Sequence, residues 1–387
     1  MENEGPGALP FASPRQTAAE SLARLRLART DGIGPVNFRR LLARHGSAVD
    51  ALAALPGLAA RRATPFSLCP EADALREMEA VRRLGGRFIF TGEPPYPPLL
   101  DLQDDAPPVL AILGDPAALS GRDVALVGAR NASAAGRRIA EELAEQLAAA
   151  GLVVVFGLAR GIDAAAHIGA LRHGRTVAAV AGGLDQPYPP DHARLQARIA
   201  AEGGAVVAEA PFGTAPLARH FPRRNRIVAS LSLGVVVIEA APRSGSLITA
   251  RLALEAGREL FAVPGSPLDP RCRGSNDLIR QGAHLTESAG YVLEHLPEAP
   301  REAQLFEPRL AWSRAGLTED GTADAFMPVG EAAQVVELLG TDPIAVDEVM
   351  RRCHLSPSAV QAILLDLELA GRVEMLPGNR VALACPA

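Results

Sequence analysis

The sequence predicts an α/β protein whose centre is a doubly wound parallel sheet, with a small helical domain before it and a winged helix after it. Three observations predict this. From Val124 onward, short apolar runs alternate with helical periodicity. The apolar runs lack a polar/apolar alternation, as expected of strands buried on both faces. The last fifty or so residues change pattern and read as helix, turn, helix, hairpin.

Residues 1–18 are rich in Pro, Gly and Ala and are expected to be a disordered tail. Residues 19–85 form the helical domain. "GIGP" at Gly32–Pro35 and "LPGL" at Leu55–Leu58 break its helical pattern. Helix, glycine turn, helix is the shape of a helix–hairpin–helix, and equally of a plain helical bundle. In the first case the turn glycines let backbone N–H groups approach a phosphate.

Residues 86–296 hold the sheet. "VALVGA" (124–129), "VVVFG" (153–157), "TVAAVAGG" (176–183), "AVVAEA" (205–210), "VVVIEA" (235–240) and "ELFAVPG" (259–265) are its six strands. Helices lie between them, one carrying Ile139, Leu143 and Leu147 on a single stripe and one beginning at Arg224. Strand–helix alternation of this kind gives a parallel sheet, here an extended Rossmann-like one. Residues 297–330, rich in Pro, Glu and Ala, are a linker. In 331–387, "AVDEVMRRC", "PSAVQAILLDLELAGR" and "VEMLPGNRVAL" supply the two helices and the hairpin of a winged helix.

Composition narrows the function classes. The chain has 387 residues and a formal net charge of −5. All 39 basic residues are arginine, which excludes a Walker loop lysine and lysine Schiff-base chemistry. The four cysteines are dispersed, so neither a disulfide framework nor a zinc site is expected, and a reducing cytoplasm fits. No signal peptide and no membrane span is expected.

In an open parallel sheet, ligands bind beyond the carboxyl ends of the strands. Those ends carry Gly128, Ala129 and Arg130; Arg160 and Gly161; Gly183; and Arg243, Ser244, Gly245 and Ser246, where a helix begins and its N–H groups favour an anion. After the fourth strand comes "RHFPRRNR", with Arg219, Phe221, Arg224, Asn225 and Arg226. Guanidiniums neutralise phosphates and an aromatic face stacks an unpaired base, the two requirements of single-stranded nucleic acid. No Asp or Glu lies between Pro211 and Ile238 to pair with these arginines. GxGxxG is absent, so a dinucleotide site is not expected, and neither is any other cofactor or a metal. Asp163 and His167 share a helical face but read as a helix cap and a packed histidine. Asp185 and Glu239 read as acceptors for loop backbones.

In order and spacing, "VALVGAR", "GLARGIDAAAH", "GGLDQPYPPDH", "FPRRNRIVASLS", "EAAPRSGSLITARLALEAGRELFAVPG" and "GSNDLIRQGA" together resemble the DNA-processing protein A family (DprA, or Smf). The resemblance implies a Rossmann-like domain that binds single-stranded DNA and forms a homodimer. It implies, too, that the protein protects incoming DNA and loads a RecA-type recombinase during natural transformation, without being an enzyme. It places the family's arginine on Arg130 and its FPxRNR element on Phe221, Arg224, Asn225 and Arg226. The chain departs from the family at Ala129, where the family usually has serine, at Phe156, and in lacking lysines near Pro190 and Ala218. Two rivals remain: a nucleotide-binding enzyme or sensor resembling phosphoribohydrolases, and a regulator reading duplex DNA through its winged helix. For the second, "PSAVQAILLDLELAGR" carries no basic residue before Arg372, which suits a protein-docking role better.

Overall fold

The computed structural model describes residues 17–59, 67–298 and most of 335–383. The expected tail and nearly all of the expected linker lie outside the described residues. Two compact units divide the rest, one joining the N-terminal helices to the C-terminal segment and the other holding the sheet.

The sheet has nine strands: β1 (Arg87–Phe90), β2 (Val109–Gly114), β3 (Asp123–Gly128), β4 (Val153–Phe156), β5 (Thr176–Val180), β6 (Ala205–Ala208), β7 (Gly234–Ile238), β8 (Glu259–Ala262) and β9 (His284–Leu285). Their order is β1-β2-β6-β5-β4-β3-β7-β8-β9. The six strands expected from the sequence are β3 to β8, all parallel. The sheet extends further than the sequence reading gave. β9 adds one short parallel strand, while β2 and β1 add an antiparallel edge beyond β6.

The unbroken apolar runs follow from a three-layer packing. Ala125, Val127, Val235 and Val237 face the helices His220–Leu231 and Gly245–Glu255. Val124, Leu126, Val236 and Ile238 face the helices Ala134–Ala149 and Ile162–Ala170. Neither set meets water, so neither face can carry polar residues. Phe156, one of the departures from the family pattern, is fully buried in the second layer.

Within the other unit, helices Ala18–Ala28, Pro35–His45 and Ala48–Ala59 enclose Leu27, Phe38, Leu41 and Leu55. The second expected break is displaced. Pro56 lies inside the third helix, and the chain turns instead at Gly46, whose φ of 80° ends the second. Pro56, three residues before the helix's last, costs the ladder its own N–H bond without ending it, whereas a left-handed glycine ends it outright. The C-terminal part has helices Val346–Arg352 and Pro357–Leu369 and the antiparallel pair Val373–Leu376 and Arg380–Leu383, the winged helix the sequence predicts. Helix Pro357–Leu369 packs against helices Pro35–His45 and Ala48–Ala59, with Glu368 3.7 Å from Arg40.

A candidate single-strand cleft at the strand ends

The sheet reverses its winding at β3. The chain moves outward through β4, β5 and β6, then returns to place β7 on the other side of β3. Loops leaving β3 and β7 therefore part in opposite directions and open a crevice, as doubly wound sheets do at such points. A cleft of about 580 Å³ occupies it. Nine of the residues singled out in the sequence line it together: Gly128, Ala129, Arg130, Arg224, Asn225, Arg243, Ser244, Gly245 and Ser246. Asn131, Thr249 and Arg271 also line it and were not singled out.

Among the helices that begin near this cleft, those starting at Ala134 and Gly245 differ in what meets their N-termini. Ser133 caps helix Ala134–Ala149, but the Glu239 carboxylate already accepts from the Ser133 N–H (2.8 Å) and hydroxyl. A Cβ added to Gly136 would sit 2.5 Å from that carboxyl carbon. The protein's own anion thus fills the place where a dinucleotide-binding fold holds its pyrophosphate. The second N-terminus, Gly245–Ser246 behind the Ser244 cap, opens into the cleft. Its polarity favours an anion there. Leu158, Glu239 and Arg243, just beyond β4 and β7, have φ of 63°, 51° and 65°. Left-handed conformations of non-glycine residues are rare and gather at binding sites.

The arginines divide into distinct groups. Arg130 and Arg243 are exposed at the rim, and the structure gives them no ion pair among the described residues. Arg271 also lines the cleft but is held by Asp269 at 2.7 Å. Arg219 and Arg223 are exposed at the start of helix His220–Leu231. Arg160 is exposed and paired with Asp191 at 2.8 Å. Arg226 turns away from the cleft to Glu209 and to the backbone of Asp105. The sequence shows no nearby acid for Arg226, because its partners lie 17 and 121 residues away along the chain.

Arg224 is placed most differently from expectation. It is only 6 % exposed and forms part of the cleft floor. Its Nη1 donates to the Ala179 carbonyl at 3.2 Å. It passes so close to Gly157 that an added Cβ there would lie 1.2 Å from Nη1. Burial pulls its pKa down from the ordinary value, and Asp163 pushes it back up. Asp163 accepts from the N–H groups of Gly157 and Ala159, both at 3.2 Å. Burial raises its pKa, against the pull of Arg224 and of those two amides.

The remaining acids and the histidine are engaged. His167 is fully buried, bonded through Nδ1 to Thr176 at 2.7 Å. Burial first, then His192 and Arg224, lower its pKa to about 3, so it stays neutral. Asp185 accepts from the Gly213 N–H at 2.8 Å. Glu239, Asp269 and Cys272 bring possible metal-ligand atoms within 4.8 Å of one another. The two carboxylates are committed to Ser133 and Arg271, and burial raises the Cys272 thiol pKa, away from the thiolate a metal needs.

Gly161 and Gly183 do not line the cleft and are closely packed by main chain. Gly161 has φ 81°, and a Cβ there would lie 2.3 Å from the Ala129 carbonyl oxygen. It thereby holds the chain that presents Arg130. Gly183 packs 2.7 Å, at its absent Cβ, from the Pro211 carbonyl.

Phe221 stands beside the cleft. Helix His220–Leu231 starts four residues earlier than the sequence reading placed it, so Phe221 and Pro222 lie in its first turn. Proline is tolerated there because the first N–H groups have no helical partner. The half-buried Phe221 ring carries the Arg130 guanidinium at 4.9 Å from its centroid and meets Tyr188 edge-on at 5.6 Å. Tyr188, a lone tyrosine between prolines, carries no periodic signal in the sequence.

With the geometry in place, known proteins give a consistent match. The family model for DNA recombination-mediator protein A matches residues 87–297, that for the DprA-like N-terminal HHH domain 18–80, and that for the DprA winged helix domain 322–379. Protein Smf of Escherichia coli is 38 % identical over 84 % of this chain and 85 % of its own length. DNA processing protein DprA of Bacillus subtilis is 42 % identical over 60 % of this chain and 78 % of its own. The crystal structure of DprA from Streptococcus pneumoniae, 34 % identical, aligns with TM-score 0.63 over 73 % of this chain and all of that one.

Proposed function

This chain belongs to the DNA recombination-mediator protein A family, and from that premise we propose that it binds single-stranded DNA in the cleft between β3 and β7. The observation that carries this reading is the convergence there of guanidiniums with no ion pair among the described residues, an open helix N-terminus and a half-buried aromatic ring. Phosphates meet Arg130, Arg243 and the Gly245 amide at the helix start, while a base stacks on Phe221. Held in this way, the strand is protected and passed to a RecA-type recombinase during DNA uptake. A homodimer through the sheet domain and a cytoplasmic location complete the proposal. Among the described residues, no helix is long and apolar enough to cross a membrane.

The role is one of binding rather than catalysis. Asp163, Asp185, Glu239 and His167, the groups at the strand ends that could move a proton, each hold a structural hydrogen bond instead. The winged helix does not favour duplex reading, since the helix that would enter a major groove is packed against the chain's own N-terminal helices.

Fluorescence anisotropy with oligo-dT, a duplex of equal length and nucleoside monophosphates tests the reading. Oligo-dT is expected to bind best, with affinity falling as salt rises by a log–log slope of about −0.7 per neutralised phosphate. Arg130→Ala is expected to weaken that binding roughly tenfold or more while melting is unchanged. Equal affinity for the duplex, or tight binding of monophosphates alone, would overturn the proposal.

A further inference from the structure

We propose that Tyr188 is a second base platform, set at an angle to Phe221, so that the bound strand must break its own stacking between two consecutive nucleotides. The inference rests on the single-strand reading and extends it to a residue outside the cleft lining.

Tyr188 is 46 % exposed, so much of its ring is open to a ligand. Its hydroxyl makes no hydrogen bond among the described residues, so the ring is not placed there to serve its polar end. What fixes it is its loop. Pro187 and Pro189 flank it and restrict the backbone on both sides. Asp185 and Gln186 anchor the loop upstream, through Gly213 and the Gly183 carbonyl respectively. Downstream, His192 bonds the Leu158 carbonyl at 3.0 Å. The ring is therefore presented in advance of any ligand.

Its relation to Phe221 defines the chemistry. The ring planes stand 69° apart with centroids 5.6 Å from each other. Two bases stacked on the two rings inherit that angle and cannot remain parallel. Such an arrangement suits unpaired nucleotides of any sequence, because every base offers a π-face. It rejects a duplex, whose neighbouring bases are held parallel. Asp191, at the end of the same loop, holds Arg160. That ion pair ties the Tyr188 loop to the residues that follow β4.

The test compares oligo-dT with a fully abasic strand of the same length, for wild type and for Tyr188→Ala, Tyr188→Leu and Tyr188→Phe. Loss of one stacking contact is expected to weaken oligo-dT binding about tenfold in Tyr188→Ala and to leave abasic binding unchanged. Tyr188→Leu keeps apolar packing against Phe221 without a π-face and is expected to behave like Ala. Tyr188→Phe is expected to match wild type. Wild-type oligo-dT affinity in Tyr188→Ala or Tyr188→Leu, or an equal loss on both strands, overturns the platform. A wild-type protein that fails to bind oligo-dT at all overturns the single-strand reading beneath it.

Discussion

Arg224→Ala is expected to destabilise the sheet domain by on the order of 3–5 kcal/mol, a drop of about 10 °C in melting temperature. The motif it belongs to suggests a DNA contact, but its guanidinium lies in the cleft floor, bonded to Ala179 and threaded past Gly157. Truncation removes the larger of the two cationic fields on the buried Asp163, leaving it Arg130 and the Gly157 and Ala159 amides, and a poorly compensated buried charge is what makes such losses large. The pH dependence follows. The Asp163 pKa, already raised by burial, rises further once Arg224 is gone. A carboxyl whose folded pKa lies above its unfolded value supports folding most at low pH, and that support is lost as pH rises through the folded value. The deficit of Arg224→Ala relative to wild type should therefore shrink on acidification from neutral pH. Adding Asp163→Asn to Arg224→Ala should recover part of the loss at neutral pH. Thermal melts of the three variants at neutral and mildly acidic pH check both points. A single variant that melts with wild type and binds oligo-dT weakly would make Arg224 a strand contact instead of a floor.

Gly128→Ala is expected to have an effect at least as large, through the backbone alone. Gly128 is the last residue of β3 and pairs with Ile238 at the end of β7. An added Cβ would lie 1.9 Å from the Ile238 carbonyl oxygen and 2.6 Å from Ile162 Cγ1. Neither side can yield. The first is main chain in a central strand, and the second is a fully buried side chain. The strands must part where the cleft opens, at a cost of about 3 kcal/mol or more. Gly245→Ala is the matched control, since a Cβ there meets nothing within 4 Å. Urea midpoints and soluble yield separate the two. A Gly128→Ala protein with the wild-type midpoint would show that β3 and β7 move apart more easily than their pairing suggests.

The parallel core was legible because doubly buried strands must be written in unbroken apolar residues, and "VALVGA" and "VVVIEA" are. β1 and β2 escaped because they join by antiparallel pairing, outside the strand–helix rhythm that marks the others. The cleft was legible where function needs chemistry at a strand end, as at Arg130 and Ser244–Ser246. It was illegible where one residue type serves two purposes. Nothing local distinguishes Arg224, Arg226 and Arg130. What separates them is a glycine 67 residues before Arg224 that makes room for its guanidinium, and acids at Glu209 and Asp105 that capture Arg226.

That capture of Arg226 has a consequence for the proposed ligand. By tying helix His220–Leu231 to Glu209 and to the Asp105 backbone, it fixes the first turn that carries Phe221 whether or not a strand is present. The protein then loses little conformational freedom on association, and the ordering falls on the nucleic acid. Free oligo-dA is a stiff, self-stacked ribbon, whereas oligo-dT is a loose coil with little internal stacking to surrender. Homopolymer affinities should therefore rank by what each strand gives up, thymine tracts ahead of adenine tracts. The protein would show a compositional taste without reading the edge of a single base.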